Sequence, residues 1–271
     1  SYSTLDKFNF EDYKKLKKLC DKYKIEFMST PFDNESVDML LKVGVKGFKI
    51  ASCDITNFPL LKKVAKTKLP ILLSTGASNM EEVSEAVKYL ESLGNKKICI
   101  MHCTLCYPTL SKDANLGALI EINKKFKKYI LGLSDHTPGH STVLGAITLG
   151  AKIIEKHFTL SNNFNGPDHK FSMTPKSWRE MVDRSRELEM SLGTENKIIE
   201  KNELESSIVQ RRSLHLTRDY QKNERLNIND TICLRPSPLG SVQPYDSSKV
   251  KLKKFVRKKN KGEVVLWKDL D

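Results

Sequence analysis

Residues 130–137 read Ile130-Leu131-Gly132-Leu133-Ser134-Asp135-His136-Thr137, and residues 151–158 read Ala151-Lys152-Ile153-Ile154-Glu155-Lys156-His157-Phe158. Each is a short apolar run that ends in polar residues and a histidine. A buried parallel strand that delivers reactive groups to an open rim has this form. The two histidines lie 21 residues apart, which fits one helix and one strand of a βα repeat. Two imidazoles on neighbouring strand ends can share one divalent cation and leave its other positions open. The plain alternative is a pair of satisfied core histidines. Asp135 and Glu155, beside them, are candidate carboxylates for orienting the rings.

The same unit recurs from about residue 25 to 190. Strands are predicted at 26–30, 47–52, 70–76, 97–102, 130–134 and 152–155. Helical spacing fills the intervals, as in Val83, Val87 and Leu90 after Met80-Glu81-Glu82. Alternating β and α units predict a parallel sheet with right-handed crossovers. Polar residues at nearly every strand tip point to a (β/α)8 TIM barrel. Six units are visible and a closed barrel has eight, so two N-terminal units are expected to be missing. Residues 1–24 read as one loop and one helix. An open doubly wound sheet is the structural alternative.

The pattern breaks at Leu192-Gly193-Thr194. The expected division is a barrel domain over 1–192, a polar linker over 193–207 and a small β-rich domain over 208–271. Short strands are predicted there at 213–217, 231–234 and 262–266.

Composition sets the class. The chain has 271 residues, 39% hydrophobic and 29% charged, which is ordinary for a folded α/β protein. No apolar run is long enough for a membrane span, and no secretory signal opens the chain. The net charge of +13 would attract anions. Much of that excess is lysine on helix faces, as in Lys14, Lys15, Lys17 and Lys18, and no nucleic-acid-binding signature accompanies it. Of the 6 cysteines, Cys103 and Cys106 form a C-x-x-C pair without the second pair a zinc site needs. Reduced thiols inside apolar strands point to the cytoplasm.

Further candidates sit on the strand tips. Ser29-Thr30-Pro31-Phe32-Asp33, Ser74-Thr75-Gly76 and Ser134-Asp135 place hydroxyls where phosphate or carboxylate oxygens can be held. Lys49 lies inside a strand between apolar neighbours, so it either meets an anion or faces outward between sheet and helices. Gly166-Pro167-Asp168-His169 is either a surface turn or a turn that presents Asp168 to sugar hydroxyls. His102 ends a strand and is a further candidate to face the site.

Together these segments resemble the sialic acid synthase (NeuB-like) family of nonulosonic acid synthases. The resemblance is carried by Met28 to Asp33, Lys49 to Asp54 leading to Asn57-Phe58-Pro59-Leu60, and Leu73 to Gly76. It continues through His102-Cys103-Thr104 to Tyr107-Pro108-Thr109, Gly132 to Thr137, Glu155 to Thr159 and Gly166-Pro167-Asp168. Arg211-Arg212-Ser213-Leu214 and Leu234-Arg235-Pro236 are similar to the antifreeze-like (SAF) domain that follows the barrel in that family.

The resemblance implies condensation of phosphoenolpyruvate with N-acetylmannosamine or a related N-acetylated hexose, giving a nonulosonic acid and phosphate. It implies His136 and His157 as ligands of manganese or magnesium, and Asp54 as a catalytic carboxylate. Thr30, Lys49, Ser52, Thr75 and Ser134 match phosphoenolpyruvate-binding positions, and Tyr107 and Asp168 match sugar-binding positions. Arg235 matches an arginine that one subunit inserts into its partner's barrel, which implies a domain-swapped homodimer. Asp54 stands where several relatives carry Glu, and Leu105 stands where a polar residue is common. Both departures leave room for a legionaminate-type substrate, a 2,4-diacetamido-6-deoxyhexose. A non-catalytic sugar-binding fragment is the remaining alternative.

Overall fold

The densest apolar runs of the first 193 residues become five parallel strands, β1 (Phe48–Ile50), β2 (Ile71–Ser74), β3 (Ile98–Cys103), β4 (Ile130–Asp135) and β5 (Ile153–Lys156). The computed structural model describes residues 8–271. Helices α1 (Phe10–Lys22), α2 (Asn34–Val43), α3 (Phe58–Lys66), α4 (Met80–Ser92), α5 (Ala118–Lys125), α6 (Ser141–Thr148) and α7 (Pro175–Ser191) precede and alternate with them. Local chemistry explains the helix limits. In α4, Asn79 accepts from the Glu82 amide while the Glu82 carboxylate accepts from the Asn79 amide, a reciprocal cap. Val83, Val87 and Leu90 then bury one face of that helix.

The sheet order is β1-β2-β3-β4-β5, parallel throughout. A doubly wound sheet reverses its strand order at a switch point, and this one does not. The sheet also curls. Flat strands about 4.8 Å apart would hold β1 and β5 about 19 Å from each other. Instead Lys49 Nζ of β1 lies 3.4 Å from Glu155 Oε2 of β5, so the two edges turn toward one another as in a half-barrel. The convex face packs on the helices through Leu61, Ile71, Leu90, Ile100, Leu119 and Leu133.

The expected strand over 26–30 does not form. The segment meets β1 through one long backbone bond, from Lys49 N–H to the Ser29 carbonyl at 3.5 Å, and a strand needs a continuing ladder. The visible barrel units therefore contain five strands, not six.

The second unit begins at Thr194. Helix α8 (Leu204–Gln210) occupies the end of the expected linker, and β6 (Ser213–Leu216) pairs antiparallel with β7 (Thr231–Leu234). The predicted strand over 262–266 reduces to single bridges, His215 with Val264 and Ser241 with Leu266. Leu214, Leu216, Tyr220, Leu226, Val242 and Phe255 build a separate core. At its edge the buried Lys259 ammonium lies 2.9 Å from Asp269. Among the described residues no helix is long and apolar enough to cross a membrane.

Candidate active site

Strand alternation decides which tip residues meet. On β4 and β5, Ser134 and Glu155 share the concave face, where Ser134 Oγ donates to Glu155 Oε1 at 3.4 Å. His136 and His157 follow two residues later on the same parity. Their ring centroids lie 5.3 Å apart with planes crossing at 85°. His136 is 5% exposed. Its Nδ1–H donates to the Thr104 carbonyl at 2.9 Å, which leaves the Nε2 lone pair free. Burial holds the His136 pKa below the usual imidazole value, and the neighbouring His157 adds to that. His157 places Nδ1 3.4 Å from Asp168 Oδ2. Tyr107 covers the pair at 4.0 Å from the His136 ring and 5.6 Å from His157. Burial pushes the Tyr107 hydroxyl up, so it is a neutral phenol at pH 7.

The rings are thus oriented by a carbonyl and by Asp168. The adjacent Asp135 and Glu155, expected in that role, have other partners. Asp135 faces the helices and pairs with Lys156 at 2.8 Å, whereas Glu155 pairs with Lys49. Among the described residues no three His, Cys, Asp or Glu side chains cluster as a metal cage. The donor set still suits a divalent cation held by two imidazole nitrogens, with remaining positions left to substrate and water oxygens. His102 is a satisfied core residue, its ring nitrogen 2.9 Å from the Ala114 carbonyl. Cys103 is buried and Cys106 exposed, and all 6 cysteines are free.

Lys49 is 9% exposed on the concave face. With Thr30, Leu72, Met101 and Glu155 it lines a cleft of about 540 Å³. Ser52 is buried and accepts from the Gly76 amide at 2.9 Å. A Cβ on Gly76 would come within 2.8 Å of that hydroxyl, so only glycine fits there. Asp54 is half-buried, and its carboxylate accepts from Asn57 Nδ2 at 2.9 Å. Thr75 donates its hydroxyl to the Met101 carbonyl at 3.0 Å. Its neighbour Ser74 is 1% exposed and its hydroxyl has no partner. An orphaned buried hydroxyl at a strand tip suits a ligand oxygen; Ser74 stood among the strand-tip hydroxyls, while the family resemblance singled out Thr75. Arg235 lies exposed just after β7 in the second unit. A larger cleft of about 670 Å³, between α4 and α5, takes in Thr75, Thr104 and Leu105, and neither it nor the Lys49 cleft is lined by His136 or His157. The reactive groups, and not the volume, locate the centre.

The chain and its fold have known relatives. Residues 2–197 match the model of the NeuB family. The N,N'-diacetyllegionaminic acid synthase of Campylobacter jejuni is 40% identical over 227 residues, covering 83% of this chain and 68% of that protein. The N,N'-diacetyllegionaminic acid synthase of Legionella pneumophila is 36% identical over 266 residues, covering 96% of this chain and 74% of its own. The crystal structure of N-acetylneuraminic acid (sialic acid) synthetase from Leptospira borgpetersenii, in complex with citrate, superposes with a TM-score of 0.70. It is 34% identical and covers 73% of this chain and 69% of its own. A consecutive parallel half-barrel, histidines ending two adjacent strands and a match over most of the length lead to one conclusion: the chain belongs to the NeuB family.

Proposed function

We propose that the protein condenses phosphoenolpyruvate with an N-acetylated hexose, giving a nine-carbon nonulosonic acid and phosphate. The observation that carries this reading is the His136–His157 pair, set two residues beyond Ser134 and Glu155 on the concave face, where Glu155 pairs with Lys49. His136 and His157 would hold manganese or magnesium. When bound, such a cation polarises the sugar aldehyde as a Lewis acid.

The chain's own residues supply the rest. Lys49 balances phosphate charge once substrate draws it from Glu155. Hydroxyls of Thr30, Ser52, Ser134 and Ser74 hold phosphate and carboxylate oxygens, and Thr75 joins them once its hydroxyl turns from the Met101 carbonyl. The enol carbon of phosphoenolpyruvate bonds to the aldehyde carbon, whose oxygen gains a proton. Water adds to the former enol C2, and the C2–O bond to phosphate breaks. Asp54 is the carboxylate that takes the proton from that water. Tyr107 and Asp168 contact the sugar, and holding both substrates together removes much of the entropic barrier. In this reading the second unit serves as an antifreeze-like domain. It supplies Arg235 to a partner subunit in a domain-swapped homodimer of the cytoplasm.

A second sugar is favoured by a specific residue. Leu105 is 41% exposed next to Thr104, and an apolar rim suits the methyl of a 2,4-diacetamido-6-deoxyhexose. The test is phosphate release with phosphoenolpyruvate, Mn²⁺ and either that sugar or N-acetylmannosamine. Release that requires all three components is expected. Binding of phosphoenolpyruvate and either sugar without release would overturn catalysis and leave a sugar-binding protein.

A further inference from the structure

Asp135 and Lys156 each immediately precede a site histidine, yet both turn away from the site. They are register partners at the last rung of β4 and β5. Asp135 is 6% exposed and Lys156 8%. Lys156 Nζ lies 2.8 Å from Asp135 Oδ2 and also donates to the Thr137 carbonyl. The carboxylate is saturated by further donors. Thr137 N–H reaches Oδ1 at 3.0 Å, Thr137 O–H reaches Oδ2 at 3.0 Å, and Thr142 O–H of α6 reaches Oδ2 at 2.5 Å. The network therefore grips the chain on both sides of His136 and at the residue before His157.

A buried ion pair contributes little net stability, because desolvation offsets the attraction. Its strict geometry can instead hold a register. In a strand, a shift of one residue moves every side chain to the other face. Here such a shift would turn a histidine toward the helices and leave Asp135 or Lys156 on the concave face.

We propose that the Asp135–Lys156 pair is a positioning clamp that sets the spacing of His136 and His157 for a shared cation, an inference that rests on the metal reading above. Both side chains are buried on the convex side, and Lys156 meets the Lys49 cleft only along its strand. The clamp acts from the convex side of the sheet, through the backbone of the two strand tips.

The test uses the full chain and the double variant Asp135→Asn/Lys156→Met, which removes both charges while keeping an oxygen for the Thr137 amide and an NH2 that donates to the Thr137 and Thr142 hydroxyls. Mn²⁺ affinity is measured by electron paramagnetic resonance, phosphoenolpyruvate affinity by calorimetry, and folding by circular dichroism. The expected result is an Mn²⁺ Kd raised by about 10- to 100-fold, with phosphoenolpyruvate affinity within about twofold of the parent. General structural damage would weaken both. Thr142→Val, which removes one anchor and keeps the ion pair, is the milder variant should the double variant not fold. A several-fold weakening of Mn²⁺ binding is expected for it. A folded variant that binds Mn²⁺ as the parent does refutes the clamp alone. A parent chain that binds no Mn²⁺ overturns the metal reading and the clamp with it.

Discussion

Replacing Lys49 by Met separates recognition from stability. The ammonium is buried on the concave face, and Glu155, its partner at 3.4 Å, has a side chain that is 43% exposed. Deleting the cation therefore leaves a carboxylate that water can reach. A pair of this exposure contributes about 0–1 kcal/mol, and methionine retains the volume of the lysine stem. For a domain of this size the unfolding midpoint should fall by less than about 4 °C. Binding is another matter. A charge-assisted hydrogen bond to phosphate is worth about 1.5–3 kcal/mol, which corresponds to roughly a tenfold to 150-fold loss of affinity. Calorimetric titration with phosphoenolpyruvate, alongside thermal unfolding of the same sample, reads both quantities. Unchanged phosphoenolpyruvate affinity in a folded Lys49→Met protein would remove Lys49 from the site. A collapse of the unfolding midpoint would show that the lysine is structural.

Ser74→Ala should do the opposite of an ordinary buried-polar deletion, because its hydroxyl has no protein partner to strand. Stability should hold or rise, by up to about 1 kcal/mol, while phosphoenolpyruvate binding weakens; parent-like binding would make the hydroxyl a bystander. The pH dependence of metal-free stability should carry the signature of His136, whose pKa burial lowers from 6.5. Below pH 6.5 the unfolded chain takes up a proton that the native site resists. This contribution is thus present above that pH and is lost as pH falls through the lower native value. Urea unfolding between pH 7.5 and 5 should show a slope that His136→Gln flattens, and an unaltered slope would contradict a buried neutral imidazole.

Much of this protein is written in its residues one by one. Apolar runs with polar tips marked β1 to β5, and the spacing of Val83, Val87 and Leu90 marked the buried face of α4. The interval between His136 and His157 placed both on successive strand ends, because period and length are local properties of the chain. Other features are set by partners distant in sequence. Only hydrogen-bonded neighbours show that the strands run in unbroken order and that residues 26–30 lack a ladder. Parity along a strand is legible, but which parity faces inward is not. Asp135 and Glu155, each beside a histidine, therefore read alike and end on opposite faces. The group that orients His136 is the Thr104 carbonyl, an atom every residue possesses and no side-chain pattern announces. Ser74 and Thr75 are likewise equivalent as text, and the fold alone gives one hydroxyl a partner and leaves the other without one.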